Sequence, residues 1–168
     1  MISLSFSQST TPIKSSNFTN LYQVNSEIYR SDQPTKKGML EIDSLGIRTV
    51  LNLRNHRNDK SEARLTTLNL RRVKINAWKM DYQDLVDALK SIKNSEKPLL
   101  VHCLHGSDRT GAVIAGYRIA FENWSKSDAI SEFTEPKYGF HKDLFPEILT
   151  LLEAVQPNQL KSDLGLIP

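Results

Sequence analysis

The segment VHCLHGSDRTG, Val101 to Gly111, holds the only cysteine of the chain, Cys103, and five residues separate it from Arg109. An apolar run, PLLV at 98–101, precedes it and a longer apolar stretch follows from Ala112 to Phe121. That order predicts a buried strand, a short loop and a helix beginning near Arg109. In an open α/β sheet, ligands bind beyond the carboxyl ends of the strands. A loop entering a helix there aims successive backbone N–H groups at one point, and the helix N-terminus adds about half a positive charge. Leu104, His105, Gly106, Ser107, Asp108 and Arg109 therefore form a candidate cradle for a tetrahedral oxyanion, with Gly106 and Gly111 allowing the tight turn. Curled in this way, the loop puts the thiol at its floor and lets the Arg109 guanidinium clasp two oxygens. The same surroundings favour thiolate over thiol. A thiolate beneath a phosphate is placed for in-line attack on phosphorus. Thr110 can donate its hydroxyl to the sulfur as it later leaves, and His102 is expected to brace the loop through hydrogen bonds.

Competing readings of these residues are weaker. A lone cysteine is usually a small buried hydrophobe, but few such cysteines stand at a strand end five residues before a helix-starting arginine. A metal site of His102, Cys103 and His105 is disfavoured, because adjacent residues on an extended segment point oppositely and no second ligand cluster is evident. No metal and no cofactor are expected. A nucleotide-binding loop fails for want of a Gly-Lys-Ser/Thr ending.

The segment resembles the signature of the cysteine-dependent protein tyrosine phosphatases: His-Cys, five residues, then Arg followed by Ser or Thr. The match runs through His102, Cys103, Gly106, Arg109 and Thr110. A wider resemblance, to bacterial dual-specificity-like phosphatases, covers about residues 20–156. It includes IYRSDQP at 28–34, LGIRTVLNLR at 45–54 and YRIAFENWSKSDAI at 117–130. It implies hydrolysis of phosphotyrosine, and also of phosphoserine or phosphothreonine, through a cysteinyl-phosphate. Inositol-phosphate or phosphoinositide hydrolysis and phosphate binding without turnover are the alternatives.

Such chemistry needs a carboxyl that protonates the leaving oxygen and later takes a proton from water. Relatives of this kind carry an aspartate on the loop before the helix that precedes the cysteine strand. Here that loop is NAWKMDYQD at 76–84, and Asp81 is the preferred acid; its bland role, shared with Asp84, is to cap the helix. Asp108 is the second candidate, because Asp-Arg-Thr at 108–110 resembles the myotubularin-type lipid phosphatases; its bland role is to orient Arg109. Asp87 reads as a solvated helix-face residue. The loop has no lysine or arginine before Arg109, which favours a single phosphate over a highly phosphorylated substrate. Basic clusters at Arg54, His56 and Arg57, and at Arg71, Arg72 and Lys74, read mainly as solvated faces. Trp78 is equally suited to flank an aryl ring or to pack in the core, while Arg30 and residues 139–141 are candidates for the cleft border.

The elements that must position this loop alternate in type. Short strands are predicted at Leu21–Val24 and Ile28–Arg30, then a helix after Pro34 that stops at Gly46. Ile47–Leu53 reads as a buried strand, a short helix is expected through Leu65 and Leu68, and Arg71–Asn76 reads as a strand. Helices are expected at 81–93, 112–121, near Ala129–Phe133 behind a Ser125/Asp128 capping pair, and at 144–155. The pattern predicts a three-layer α/β sandwich with a central, mostly parallel sheet flanked by helices.

With 168 residues, one domain is expected. It is assigned to residues 20–156, between a flexible segment at 1–19 and a surface tail at 157–168. The 39% hydrophobic content supports a real core, and no stretch approaches a membrane span. A net charge of +3 is too small to indicate nucleic acid. Expected partners are a phosphorylated protein or a small phosphomonoester, with the chain acting as a monomer. The sequence as printed reads as cytoplasmic; if Ile2, Leu4 and Phe6 are the remnant of a longer leader, it reads as periplasmic.

Overall fold

The structure, a computed structural model, describes residues 10–168; the apolar residues at positions 2, 4 and 6 lie outside that range. Six strands form one mixed sheet: β1 (Thr11–Pro12), β2 (Tyr22–Gln23), β3 (Ile28–Ser31), β4 (Thr49–Arg54), β5 (Asn69–Ile75) and β6 (Leu99–His102). Their spatial order is β1-β2-β3-β6-β4-β5. The pairs β3–β6, β6–β4 and β4–β5 are parallel, whereas β1–β2 and β2–β3 are antiparallel. The predicted parallel centre is present, with a short antiparallel edge added.

Side chains alternate across the sheet, as the two-residue period of a strand requires. Leu51 and Leu53 of β4, with Leu99 and Val101 of β6, face a large core built with α2 (Tyr82–Lys93), α3 (Asp108–Phe121), α4 (Lys126–Phe133), α5 (Pro146–Ala154) and α6 (Pro157–Asp163). Val50 and Leu100 face the other side, where Met39 and Ile42 of α1 (Lys36–Ser44) pack with Phe18 and Leu21. This is the expected sandwich. α3 is buried on every side from Thr110 to Ala120, as its unbroken apolar sequence predicts. The Ser125 cap of α4 is also present, its side chain accepting from the Asp128 N–H.

Three expectations need correction. No helix forms through Leu65 and Leu68. Residues 59–66 make single turns closed by Ala63 N–H to Asp59 O and Thr66 N–H to Ala63 O, and Leu65 is 74% exposed. Residues 10–19 are not a flexible lead-in: β1 pairs with β2, Thr10 hydrogen-bonds Tyr138, and Phe18 is buried against Gly38. The tail at 157–168 is not a surface strand of chain either. Pro157 opens α6, which buries Leu160 and Leu164, and the Tyr82 hydroxyl donates to Asp163 at 2.7 Å, tying α6 to α2.

Candidate active site

Register brings three strand ends to one edge. Ser31 of β3 and Asn52 of β4 both lie level with His102 of β6. The segments leaving these strands, 32–35 and 55–60, therefore flank the loop that leaves β6 at Cys103. α3 follows at Asp108, so the predicted strand, loop and helix are all in place.

The orientation of the loop follows from its carbonyls. The Cys103 carbonyl accepts from His102 Nδ1 at 3.0 Å, and the Leu104 carbonyl accepts from the Gln33 N–H at 3.0 Å. The His105 carbonyl accepts from Asn20 Nδ2 at 2.9 Å, and the Gly106 carbonyl from Arg30 Nη2 at 2.8 Å. Successive carbonyls are thus tied outward to the surrounding protein, and the N–H groups turn the other way. Among the described residues, no backbone N–H from Leu104 to Thr110 donates to a protein acceptor. Ser107, the N-cap of α3, makes no capping hydrogen bond through its side chain, so the helix N-terminus is left open to an anion.

Gly106 makes the curl possible. Its φ is +72°, and a Cβ there would lie 2.5 Å from the carbonyl carbon of Ser31. Only glycine fits both the backbone angle and the close approach.

Cys103 is a free cysteine, 1% exposed, at the base of this loop. Arg109 sends Nη1 to the Ile75 carbonyl at 3.1 Å, which docks the helix start against the end of β5, while its Nε is buried without a partner among the described residues. The Thr110 hydroxyl is likewise buried and unpartnered, so it makes no bond to the Cys103 sulfur in this structure. Buried donors left unpaired are costly; Arg109 Nε and Thr110 Oγ1 stand ready for an acceptor that the protein does not supply.

Beyond its Nδ1 bond to the Cys103 carbonyl, His102 has a partner that the sequence did not indicate. Its Nε2 lies 2.7 Å from Asp59 Oδ2, and both side chains are buried. A carbonyl can only accept and an ionised carboxylate can only accept, so both ring nitrogens donate. Burial alone would push the Asp59 carboxyl up, but hydrogen bonds from His102, Gln33 and Asn52 and the charge of His102 outweigh it and hold the group below the usual aspartate range.

The two acid candidates sit in different settings. Asp81 is exposed and caps α2: its Oδ1 accepts from the Asp84 N–H at 2.9 Å, and its own N–H donates to Asp84 Oδ2 at 3.2 Å. Asp108 is buried at the start of α3, where its carboxylate takes the His141 N–H at 2.9 Å and His141 Nδ1 at 3.0 Å. Asp87 is exposed on α2.

The rim is aromatic. Trp78, 64% exposed, sits on a single 3-10 turn, Ala77–Lys79, just after the Ile75 carbonyl that holds Arg109. Its ring meets Phe145 edge-on at 4.8 Å, Phe145 meets His141, and His141 lies 5.1 Å from His105 of the loop. Of the basic clusters, Arg54 reaches the site: Nη1 donates to Gln33 Oε1 at 3.0 Å. Partial burial, then the charges of Arg57 and Arg109, pull Arg54 below the usual arginine value. Arg57 instead pairs with Glu62, and Arg72 spends its donors on the carbonyls of Arg54 and Asn55.

Asn20, Gln33 and Asp59 are the residues that sequence reasoning missed. Each acts on the loop or on His102 through a hydrogen bond made across a large sequence separation, and only Gln33 lies in a quoted motif, IYRSDQP, where it acts through its backbone N–H.

The chain is similar to the dual specificity protein phosphatase TpbA of Pseudomonas aeruginosa (strain UCBPP-PA14), with 30% identity over 129 residues; the alignment covers 74% of this chain and 58% of TpbA. The chain thus spans little more than half the length of that curated relative. A crystal structure of P. aeruginosa TpbA in complex with pTyr superposes with a TM-score of 0.82 at 22% identity, covering 93% of this chain and 95% of that one. The core catalytic domain of the PP-IP phosphatase SIW14 from S. cerevisiae superposes with a TM-score of 0.70 at 23% identity, covering 93% and 97%. Residues 12–162 match the model of the tyrosine phosphatase family, and the chain belongs to that family.

Proposed function

We propose that the chain hydrolyses phosphomonoesters, phosphotyrosine first among them, through a cysteinyl-phosphate. The observation that carries this reading is the outward anchoring of the carbonyls of residues 103–106, which leaves a run of N–H groups around Cys103 without a partner among the described residues. Leu104, His105, Gly106, Ser107, Asp108 and Arg109 hold the phosphate. Arg109 supplies charge and direction, since donors fixed before reaction stabilise the transition state without reorganising. The Cys103 thiolate attacks phosphorus, and the alkoxide or phenoxide leaves with a proton. Water then displaces the thiolate, and Thr110 can donate to the departing sulfur.

Asp81 is the proposed proton carrier. Its exposed position, past the segment that Arg109 docks against, leaves it free to meet a leaving group, whereas both Asp108 oxygens are engaged by His141. The aromatic rim of Trp78, Phe145, His141 and His105 suits an aryl phosphate. The similarity to a phosphatase solved with pTyr supports the same preference. Arg54, which makes no ion pair among the described residues, is the feature that favours the second reading, a substrate carrying a further anionic group such as an inositol phosphate.

A panel of phosphotyrosine peptide, phosphoserine peptide and inositol phosphates, assayed without added metal, tests the proposal. Wild type turns over the phosphotyrosine peptide fastest and is blocked by vanadate. Cys103→Ser has no turnover, and Arg109→Ala loses roughly 100–1,000-fold, the scale of one lost oxyanion donor. Asp81→Asn steepens the dependence on leaving-group pKa, and Asp108→Asn does not. No turnover by wild type on any member of the panel overturns the reading in favour of phosphate binding alone.

A further inference from the structure

Beside the anion loop, His105, Asp108 and His141 bring ligand atoms to within 4.8 Å of one another. We propose that these three side chains form a binding site for a divalent transition metal of the zinc class, which shares His105 and Asp108 with the anion loop but does not use Cys103 as a ligand.

The donor set selects the metal. Two imidazoles and one carboxylate suit zinc and its neighbours, whereas calcium and magnesium prefer oxygen alone. Three protein ligands with a fourth position left to water is a common zinc arrangement. The carboxylate is already oriented: Asp108 Oδ1 is fixed by the His141 backbone N–H at 2.9 Å, which leaves Oδ2 facing the His141 ring at 3.0 Å. A hydrogen bond that holds a ligand from behind is characteristic of metal sites. The hydrogen between His141 Nδ1 and Asp108 occupies the place that the ion would take, so the ring binds through Nδ1 with its hydrogen on Nε2.

Access and adjustment are both available. His105 is exposed and the His141 side chain is 38% exposed, while Asp108 is buried. The site opens on a cleft of about 340 Å³ whose wall includes Asp32, Ser107 and Lys137. Lys137 is neutralised there by Glu135 at 2.7 Å. Ligand atoms on a tetrahedral zinc are about 3.4 Å apart at the usual bond lengths of about 2.0–2.1 Å. Closing from the present spacing takes a small turn of the exposed His105 ring, with Asp108 and the backbone left in place.

The experiment is a zinc chloride titration of the Cys103→Ser protein by calorimetry, which removes the thiolate as a competing ligand and needs no activity. Expected is one zinc per chain, with affinity reduced by more than about tenfold in each of the His105→Ala and His141→Ala versions, since even loss of an outer partner costs 10–100-fold. Cobalt(II) in the same protein should give the intense visible bands of a four-coordinate ion without a sulfur charge-transfer band. No binding to Cys103→Ser, or affinity unchanged by either histidine substitution, overturns the site. His105→Ala alters an exposed ring, so it keeps the test decisive if His141→Ala fails to fold.

Discussion

Two arginines of this protein, Arg30 and Arg118, are both completely buried, yet their charges meet opposite surroundings. Arg118 on α3 meets two carboxylates, Glu132 at 2.8 Å and Glu122 at 2.6 Å, and lies over the Trp124 ring. Burial would lower its pKa, but the bonds to Glu132 and Glu122 more than offset this, so it rises. Arg30 makes no ion pair among the described residues. It has the Gly106 carbonyl and the face of Tyr138, and burial carries its pKa down despite partial relief from Tyr138, Glu132 and Cys103. A buried charge without a counterion is costly. The fold keeps one beneath the cysteine loop, where it holds the Gly106 carbonyl, while the paired Arg118 ties α3 to α4.

The largest effect should come from breaking the neutralised set. Arg118→Met leaves Glu132 buried without its cation, a loss of about 3–5 kcal/mol, read as a lower urea midpoint. Turnover per folded molecule should stay near wild type, because the Glu122, Glu132 and Trp124 partners of Arg118 lie outside the loop. Arg30→Met should divide its effect the other way. The Gly106 carbonyl loses its donor, at about 1–3 kcal/mol, and the loop loses both an anchor and a positive charge. Turnover of an aryl phosphate by the folded variant should fall by roughly 10–100-fold, equivalent to about 1.4–2.7 kcal/mol of barrier. If Arg30→Met proves the more destabilising of the two and leaves turnover intact, the contrast fails.

A sharper version tests position rather than charge. Gly106→Ala keeps every charge but forces a methyl group into the Ser31 backbone at 2.5 Å with φ at +72°. The loop must shift, so KM for the aryl phosphate should rise and kcat should fall together, with a stability loss of order 1–3 kcal/mol. A change in stability alone would mean that the loop absorbs the strain without moving its N–H groups.

The two halves of this arrangement differ in how far the sequence betrays them. Cys103, Gly106, Arg109 and the helix after them are contiguous, and each is a residue type with one dominant use at that spacing, so the loop and its strand–helix setting were legible. The outer ring was not. Asn20, Gln33 and Asp59 reach the loop across sequence separations of 85, 71 and 43 residues, and each is a polar residue in a stretch that reads as solvated. Residues 10–20 show the ambiguity most plainly: Ser, Thr and Asn populate loose tails, but they also hold carbonyls and carboxylates, as Asn20 does His105 O and as Thr19 is held by Asp32. α6 was hidden for a different reason, since Leu160 and Leu164 are a single helical repeat, too short to stand out as a period.

The smallest expected effect concerns a third buried charge, which lies between the two extremes: His102 is paired like Arg118 but touches the loop like Arg30. Asp59→Asn keeps the shape and removes the carboxylate. The amide can donate to Nε2, so the ring keeps its Nδ1–H bond to the Cys103 carbonyl, and turnover should drop by only a few-fold, well under Arg30→Met by the scale of one tenfold step per 1.4 kcal/mol. Stability supplies the discriminating measurement. The Asp59 carboxyl is held below its ordinary value of about 3.9 when folded, so on acidification the unfolded chain takes up the proton first. Its contribution is therefore fully present above that ordinary value and is lost as pH falls through the lower folded one. The stability gap between wild type and Asp59→Asn, measured by urea denaturation across a pH series, should close as pH falls below about 5. A gap that instead widens below about pH 5 would mean that Asp59 enters the fold protonated. The loop would then be braced by a neutral pair, and Arg30 would be left as the buried cation beneath it.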